Sequence, residues 1–384
     1  MSLASRAEAV IVGAGCIGAS IAWHLALLGV KATVLEKEKV AGLGSTGQCA
    51  GGVRQQFSTP VNVRLSQHSI AAFARMQDEL AHEGELYWPV GYLFCVGDPA
   101  RWAAFQKNAK EQQGLGVPVE VLTPAEVKAR WPVLETGDLA GATFCGSDGL
   151  ADPHGVTAAY FAAAKRLGAT FEFDTELTGV RTADGRVAGV TTNRGPIDTP
   201  VLINAAGPYA AQIGAMAGVN LPVVPLRRQI FTTQPLDWLP ADFPMVVDVR
   251  TGVYMHKESG GLLLGLADQD EPPSFHTHID LDFRDKVFML GFERLPGLED
   301  AAYRTGWGGL YEDTPDHNAI LGEARALGGF YLANGFSGHG FMHAPAVGMV
   351  IADLVTTGRS RIDVSELALE RFESADLVAE ANII

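Results

Sequence analysis

Ala9-Val10-Ile11-Val12-Gly13-Ala14-Gly15-Cys16-Ile17-Gly18 is the stretch on which the reading of this chain turns. Four uncharged apolar residues predict a short buried strand, and the glycines at Gly13, Gly15 and Gly18 break it. An alanine- and leucine-rich helical pattern then runs to Gly29, and a second strand, Ala32-Thr33-Val34-Leu35, ends on Glu36-Lys37. Each part has a mechanical reason. Gly13 permits the tight turn, Gly15 lets backbone approach a pyrophosphate, and Gly18 lets helix and strand pack closely. The helix start offers unpaired N–H groups and a positive dipole end to phosphate. Glu36, roughly twenty residues on, is placed to accept from an adenosine ribose. A glycine triplet alone is weak evidence, but between a strand and a helix, and ahead of a strand-terminal acid, it predicts dinucleotide binding.

With 384 residues, 47% of them hydrophobic, the chain is long enough for two domains with substantial cores. Its net charge of −15 argues against nucleic acid or an anionic membrane as partner. No apolar run is expected to span a bilayer, and no basic-plus-apolar leader precedes the first strand, so a cytoplasmic location is expected. Met1-Ser2-Leu3 reads as an expression remnant. Cys16, Cys49, Cys95 and Cys145 have neither metal nor disulfide spacing, which fits a reducing compartment and predicts no metal site.

Further along, Thr123-Pro124-Ala125-Glu126 predicts a capped helix start, and Asp184-Gly185 a two-residue hairpin turn. A β-rich block covers residues 223–266. The strand at 329–333 leads through Asn334-Gly335-Phe336-Ser337-Gly338-His339-Gly340 into a long helix, 341–356, with Pro345 expected in its first turn. Glycine loops suited to a cofactor thus lie at the beginning, middle and end of the chain. That spacing predicts a nucleotide domain assembled from residues 1–86, 146–222 and 305–384, with a substrate domain from 87–145 and 223–304.

These residues resemble the FAD-dependent amine and amino-acid oxidoreductases that include sarcosine oxidase, glycine oxidase, D-amino-acid dehydrogenase and the dimethylglycine enzymes. The likeness runs nearly end to end. It is carried by Gly13 to Gly18 with Glu36, by Gly44-Ser45-Thr46-Gly47-Gln48-Cys49-Ala50-Gly51-Gly52-Val53-Arg54, and by Asp148-Gly149-Leu150-Ala151-Asp152-Pro153. Asn204-Ala205-Ala206-Gly207-Pro208, Pro225-Leu226-Arg227-Arg228-Gln229, the stretch from Thr314 to Gly322 and Gly335 to Phe341 complete it. The resemblance implies an α/β, two-domain fold in which a Rossmann-like FAD-binding domain of three segments carries an inserted antiparallel β-rich substrate domain. It also implies FAD in extended form, its ADP half on the first βαβ unit. The contacts expected are Gly13, Gly15, Cys16, Ile17, Gly18, Glu36, Lys37, Gly44, Ser45, Thr46, Ala50, Gly51, Gly52, Val180, Ala205, Ala206 and Gly207. Gly338, His339, Gly340, Phe341 and Met342 are expected at the flavin, where a helix start steadies charge developing on reduction. Ser45 and Thr46 are expected to donate to the pyrophosphate, with local turn capping as the alternative.

On the substrate side, the resemblance implies oxidation of a C–N bond of a small amino acid or N-methylated amine by hydride transfer to flavin N5. Orientation then dominates. Arg54 resembles an arginine that some relatives use on the substrate carboxylate, and Tyr254 a substrate-facing tyrosine. Strand alternation puts Tyr254 and His256 on one face, which is equally compatible with core. His339 is expected near the flavin or capping its own loop. Departures from the pattern are informative. Sarcosine-type enzymes carry an oxygen-promoting lysine where this chain has Leu262-Leu263-Leu264, and an FAD-tethering cysteine near Gly308 and Gly309. Their carboxylate clamps are replaced by Tyr311, Gly338 and Met342. Dissociable, non-covalent FAD is therefore expected, with O2 or a carrier as electron acceptor and a homo-oligomer or second subunit as a further partner. Two alternatives stand beside this reading. One is a 2-hydroxy-acid or polyol-phosphate dehydrogenase using His256 or His339 as base. The other is an FAD-holding subunit or assembly protein with little turnover.

Overall fold

The computed structural model describes residues 3–373 and 377–382, so Met1 and Ser2 of the expected remnant lie outside it. Ala9–Val12 is the centre of a six-stranded sheet in the order Ile320–Glu323, Phe330–Asn334, Leu202–Asn204, Ala9–Val12, Ala32–Leu35, Thr170–Glu172. All neighbours are parallel except the Ile320–Glu323 edge. A strand buried on both faces must be apolar throughout, and this one is. Ala9 and Ile11 pack with the helices Cys16–Leu27, Pro153–Arg166 and Gly340–Thr357. Val10 and Val12 pack instead against the small sheet of Leu177–Ala183, Arg186–Thr192 and Gly195–Asp198. Its hairpin turns on Asp184 and Gly185, both at positive φ (50° and 72°), as the two-residue turn requires. The expected capping box at Thr123 is present, with Thr123 and Glu126 bonding reciprocally.

The second large sheet has eight strands: Tyr303–Asp313, Val224–Thr233, Gly261–Leu266, Tyr254–Glu258, Met245–Asp248, Tyr92–Val96, Gly141–Cys145 and Val119–Leu122. It is mixed rather than antiparallel, because Met245–Asp248 and Tyr92–Val96 pair in parallel. These two strands come from different stretches of chain, each an antiparallel group of its own, so no hairpin dictates the direction where they join. The boundary expected at 304/305 falls inside Tyr303–Asp313, which pairs along its length with Val224–Thr233.

Two further expectations change. Pro345 sits in the second turn of Gly340–Thr357, not the first. There its missing N–H leaves the Phe341 carbonyl without its usual donor, and the Ala346 N–H bonds to Ser69 Oγ at 3.2 Å. This helix is also long and apolar enough to cross a membrane (18 residues, mean hydropathy 1.2), contrary to the expectation of no such run. Its apolarity is accounted for by packing, since 67% of it is buried inside the fold.

Beneath the large sheet Arg294 is 1% exposed and joins Asp248 (2.8 Å) and Asp138 (2.9 Å). Removing a buried cation leaves its carboxylate partners uncompensated. Arg294→Ala should therefore lower stability by about 3–5 kcal/mol, seen as a reduced urea midpoint.

A candidate cofactor and substrate cavity

Between the two large sheets lies a single cavity of about 1070 Å³. It exceeds the roughly 300–1,000 Å³ usual for one small ligand, leaving room for a dinucleotide and a substrate together. Gly13 (φ 103°) and Gly15 line one end. A Cβ on Gly13 would lie 2.4 Å from the Ala205 carbonyl oxygen, and one on Gly15 3.0 Å from Thr46 Oγ1. Helix Cys16–Leu27 begins with no N-cap side-chain bond and no acid in its first turn, so its positive end faces the cavity uncompensated, although Thr46 Oγ1 takes the Cys16 N–H. Glu36 is oriented by the N–H groups of Ala14 (2.8 Å) and Glu38 (3.0 Å), which leaves lone pairs for further donors. Lys37 Nζ sits 3.4 Å above the Tyr209 ring, and Ala205, Ala206 and Gly207 line the same end.

Several expected contacts take other places. Gly18 is outside the cavity wall: a Cβ there would lie 1.9 Å from the Gly13 carbonyl oxygen, so its role is close packing of helix on strand. Val180 packs under the six-stranded sheet, and Thr175, Glu176 and Leu177 meet the cavity in its stead. The Ser45 hydroxyl donates its one proton to the Leu310 carbonyl (2.6 Å), and Thr46 Oγ1 accepts from the Cys16 N–H (3.2 Å) while donating to Cys16 Sγ (3.3 Å). Both hydroxyls thus tie their loop to distant chain, which is neither the pyrophosphate contact nor the local turn capping expected. Gly44, Ser45, Thr46, Ala50, Gly51 and Gly52 nevertheless line the wall.

The other end is formed by the helix Gly340–Thr357, which also starts without a side-chain cap or an acidic residue. Gly338, His339, Gly340, Phe341 and Met342 all face the cavity. Gly338 (φ 93°) lets the Tyr311 ring lie against it, since a Cβ would be 2.5 Å from that ring. Two open helix starts facing one cavity from opposite ends suit an elongated, anionic ligand, so FAD fits this chain. Bound there, Gly13 to Ile17 and Glu36 would hold its ADP half, and Gly338 to Met342 its flavin.

Of the residues expected to meet substrate, Arg54, Tyr254 and His339 come together here. Arg54 is fully buried. Its Nη1 donates to Gln56 O (2.6 Å), its Nη2 to the Asn382 carbonyl and to His339 Nε2 (3.2 Å), and the guanidinium stacks on Phe57 at 3.9 Å. Burial and the adjacent guanidinium push the His339 pKa well below its usual value, so the ring is neutral and Nε2 accepts. His256 is displaced from the site. It lies behind Ala50, with Nδ1 on the Lys257 carbonyl (2.9 Å), and its buried Nε2 has no partner. Tyr254 shares its face with Tyr92, Met245 and Leu263, an aromatic and aliphatic wall that meets the cavity at Tyr254, Tyr92 and Met245.

Arg228 was not singled out from sequence, although its segment was. It faces the cavity with its guanidinium 5.1 Å from the Tyr311 ring centroid. Its Nη1 reaches the Arg227 carbonyl (3.0 Å), while its Nε has no partner. Among the described residues neither Arg228 nor Arg54 is paired with a carboxylate. Two other features were hidden because they depend on distant chain. Asp148 holds the loop after Arg54 through Gln55 and Gln56, and burial lifts its pKa to about 6. Glu380 accepts from Ser58, Thr59 and Asn62, bringing Asn382 onto Arg54.

A cavity with room for an extended dinucleotide, beside a tyrosine-lined chamber whose guanidiniums lack carboxylate partners among the described residues, fits a flavin-dependent redox enzyme. The chain belongs to the FAD dependent oxidoreductase family, whose pattern matches residues 8–354. It is 34% identical to the L-proline dehydrogenase of P. horikoshii, with a TM-score of 0.92 over 98% of this chain and 100% of that one. The Xenopus laevis FAD-dependent oxidoreductase domain-containing protein 1 is 29% identical, covering 99% of this chain and 85% of that protein. Human mitochondrial sarcosine dehydrogenase is 32% identical over 96% of this chain, which spans only 42% of that protein's length. The chain is thus an FAD-dependent oxidoreductase.

Proposed function

We propose that the substrate is a small amino acid with a secondary or N-methylated nitrogen, proline- or sarcosine-like, and that the chain acts as a dehydrogenase. The observation that carries this is the pair of guanidiniums, Arg54 and Arg228, without carboxylate partners beside one aromatic-walled chamber. A cation left unpaired in a desolvated wall favours an anionic ligand, and a substrate carboxylate supplies it. The walls around Tyr254, Tyr92, Met245 and Trp307 are mostly apolar and accept a ring or N-methyl group. The cavity's acids, Glu36, Glu38, Glu176 and Glu312, belong to the nucleotide side, so the substrate nitrogen meets no carboxylate and binds as the neutral amine, ready to lose hydride. Bound FAD would supply the two-electron acceptor. The imine so formed is released to water.

The solved proline dehydrogenase and the curated sarcosine dehydrogenase support this substrate class by similarity. FAD is held without a covalent bond. Gly308 and Gly309 leave no room for a cysteine, since a Cβ would meet Thr277 O at 2.3 Å and Gln48 Cβ at 2.8 Å. Cys49, on the cavity wall, is kept neutral by burial, its pKa pushed up to about 12. Lys37, at the nucleotide end, is the lysine that lines the cavity, which supports a carrier rather than O2 as electron acceptor. The hydroxy-acid alternative loses His256, which lies outside the chamber, and finds His339 already accepting from Arg54.

Anaerobic mixing of the FAD-loaded protein with proline, sarcosine and dimethylglycine tests the proposal. At least one should bleach the flavin within seconds, while pyrrolidine and lactate leave it oxidised. Bleaching by lactate or glycerol 3-phosphate with none by any amino acid would overturn it.

A further inference from the structure

Glu312 is a carboxyl that the proposed reaction does not use. It sits near the end of strand Tyr303–Asp313, and its Oε2 accepts from the Gly335 N–H at 3.0 Å, with the Phe336 N–H also directed at it. Its own carbonyl accepts from the Ser337 N–H at 3.0 Å, so the residue is fixed from both ends. It lines the cavity on the side of the dinucleotide loop, close enough to Cys16 to act on that thiol electrostatically. No cation is paired with it among the described residues. The titratable groups around it offer no neutralising charge. Cys16, from the dinucleotide loop, is neutral, its pKa raised to about 11 by burial. On its own strand Tyr311 is a neutral phenol, and Asp313 is committed to His317 at 2.9 Å. Arg228, from the neighbouring strand, lies over the Tyr311 ring, and alternation puts that ring on the opposite face of the strand from Glu312. His339, from the loop before the last helix, is neutral.

We infer that Glu312 is a cofactor-contacting residue that carries a proton in the holoprotein, so that loading FAD takes up a proton in alkaline solution. The physical reason is charge. The turn Gly13 to Cys16, which would hold the cofactor's pyrophosphate, lines the same cavity as this carboxyl. An anionic side chain and an anionic diphosphate in one low-dielectric cavity repel, and the cheapest relief is to keep the carboxyl neutral. As a neutral acid it also donates a hydrogen bond, which a carboxylate cannot do. Burial already lifts the Glu312 pKa to about 8 before any cofactor charge is added. The sign follows. Below that pH the carboxyl is protonated and FAD binds without proton exchange. Above it, a proton must be taken up, and affinity falls toward tenfold per pH unit.

The test is the affinity of apoprotein for FAD, from quenching of flavin fluorescence, between pH 6.5 and 9.5, for wild type and Glu312→Gln. Wild type should weaken about tenfold between pH 8.5 and 9.5, while Glu312→Gln should bind tightly with a flat profile. Comparison at each pH cancels the titration of FAD itself. Calorimetry at pH 9 in two buffers of different ionisation enthalpy should show wild type taking up about one proton. This second measurement needs no variant, so it stands even where Glu312→Gln fails to fold. Parallel pH profiles for the two proteins, or no proton uptake by wild type, would overturn the inference. So would loss of FAD at every pH by a Glu312→Gln protein whose circular dichroism and melt match wild type, because a neutral side chain here would then fail to support binding.

Discussion

Gly13→Ala should purify colourless and fail to take up added FAD, with affinity reduced at least about 100-fold, a loss of about 2.7 kcal/mol. Two independent costs meet at this residue. Its φ of 103° is a conformation L side chains rarely adopt. A Cβ would also lie 2.4 Å from the Ala205 carbonyl oxygen, a backbone atom that cannot swing aside as a side chain can. The Ala205 N–H is itself bonded to Val12 O (3.0 Å), so relief requires the turn to move away from the strand ends. That turn presents the positive end of helix Cys16–Leu27 to the cavity, and its displacement misdirects it. Gly29→Ala provides the control. It has a similar φ of 83° but nothing within 4 Å of its Cβ position. It should cost about 1 kcal/mol of stability and leave FAD affinity unchanged. Equal FAD loss in both variants, read by flavin absorbance after desalting, would show that general destabilisation and not the cradle is responsible.

The nucleotide half of the site was legible because it is local. Strand, turn, helix and second strand follow within about thirty residues, and each obeys a period or a glycine rule that needs no partner elsewhere. Gly13, Gly15, Glu36 and the Gly338 to Met342 turn all line the cavity for that reason. The failures have a common form. Tyr254 and His256 do share a strand face, but only Tyr254 meets the cavity, because the Ala50 loop covers the next position along. Period two fixes a face and says nothing of what lies over it. Arg228 stood in a recognised segment, yet its importance rests on an absence: among the described residues no carboxylate is paired with it. Such an absence is visible only after distant strands are assembled. The acceptor of the Ser45 hydroxyl was hidden in the same way, since the Leu310 carbonyl is 265 positions away in the chain. The parallel join in the large sheet likewise arises where separate stretches of chain meet.

Arg228→Met should raise the dissociation constant for proline or sarcosine by roughly 30- to 1,000-fold, about 2–4 kcal/mol, with little change in FAD affinity. Methionine keeps most of the stem volume against the Tyr311 ring and removes the charge. The figure is large because a substrate carboxylate drawn into the chamber would then lack its cation while already desolvated. Secondary amines without a carboxylate should be affected less than about threefold, which separates loss of the clamp from damage to the chamber. Arg54→Met is expected to behave differently. Arg54 spends its Nη groups on Gln56, Asn382 and His339, so its loss leaves the Asn382 carbonyl and an imidazole nitrogen without this donor, while the Gln56 carbonyl keeps only the Asn382 side-chain amide. That variant should lose stability as well as substrate binding, about 1–3 kcal/mol for the groups left unsatisfied. It should also allow His339 to titrate closer to neutrality, because the cation that helps depress it is gone. Anaerobic titration of flavin absorbance with each substrate, beside a thermal melt, distinguishes the two arginines. Should Arg228→Met bind proline as wild type does while Arg54→Met alone loses it, the clamp is Arg54, and Arg228 serves only to hold Tyr311.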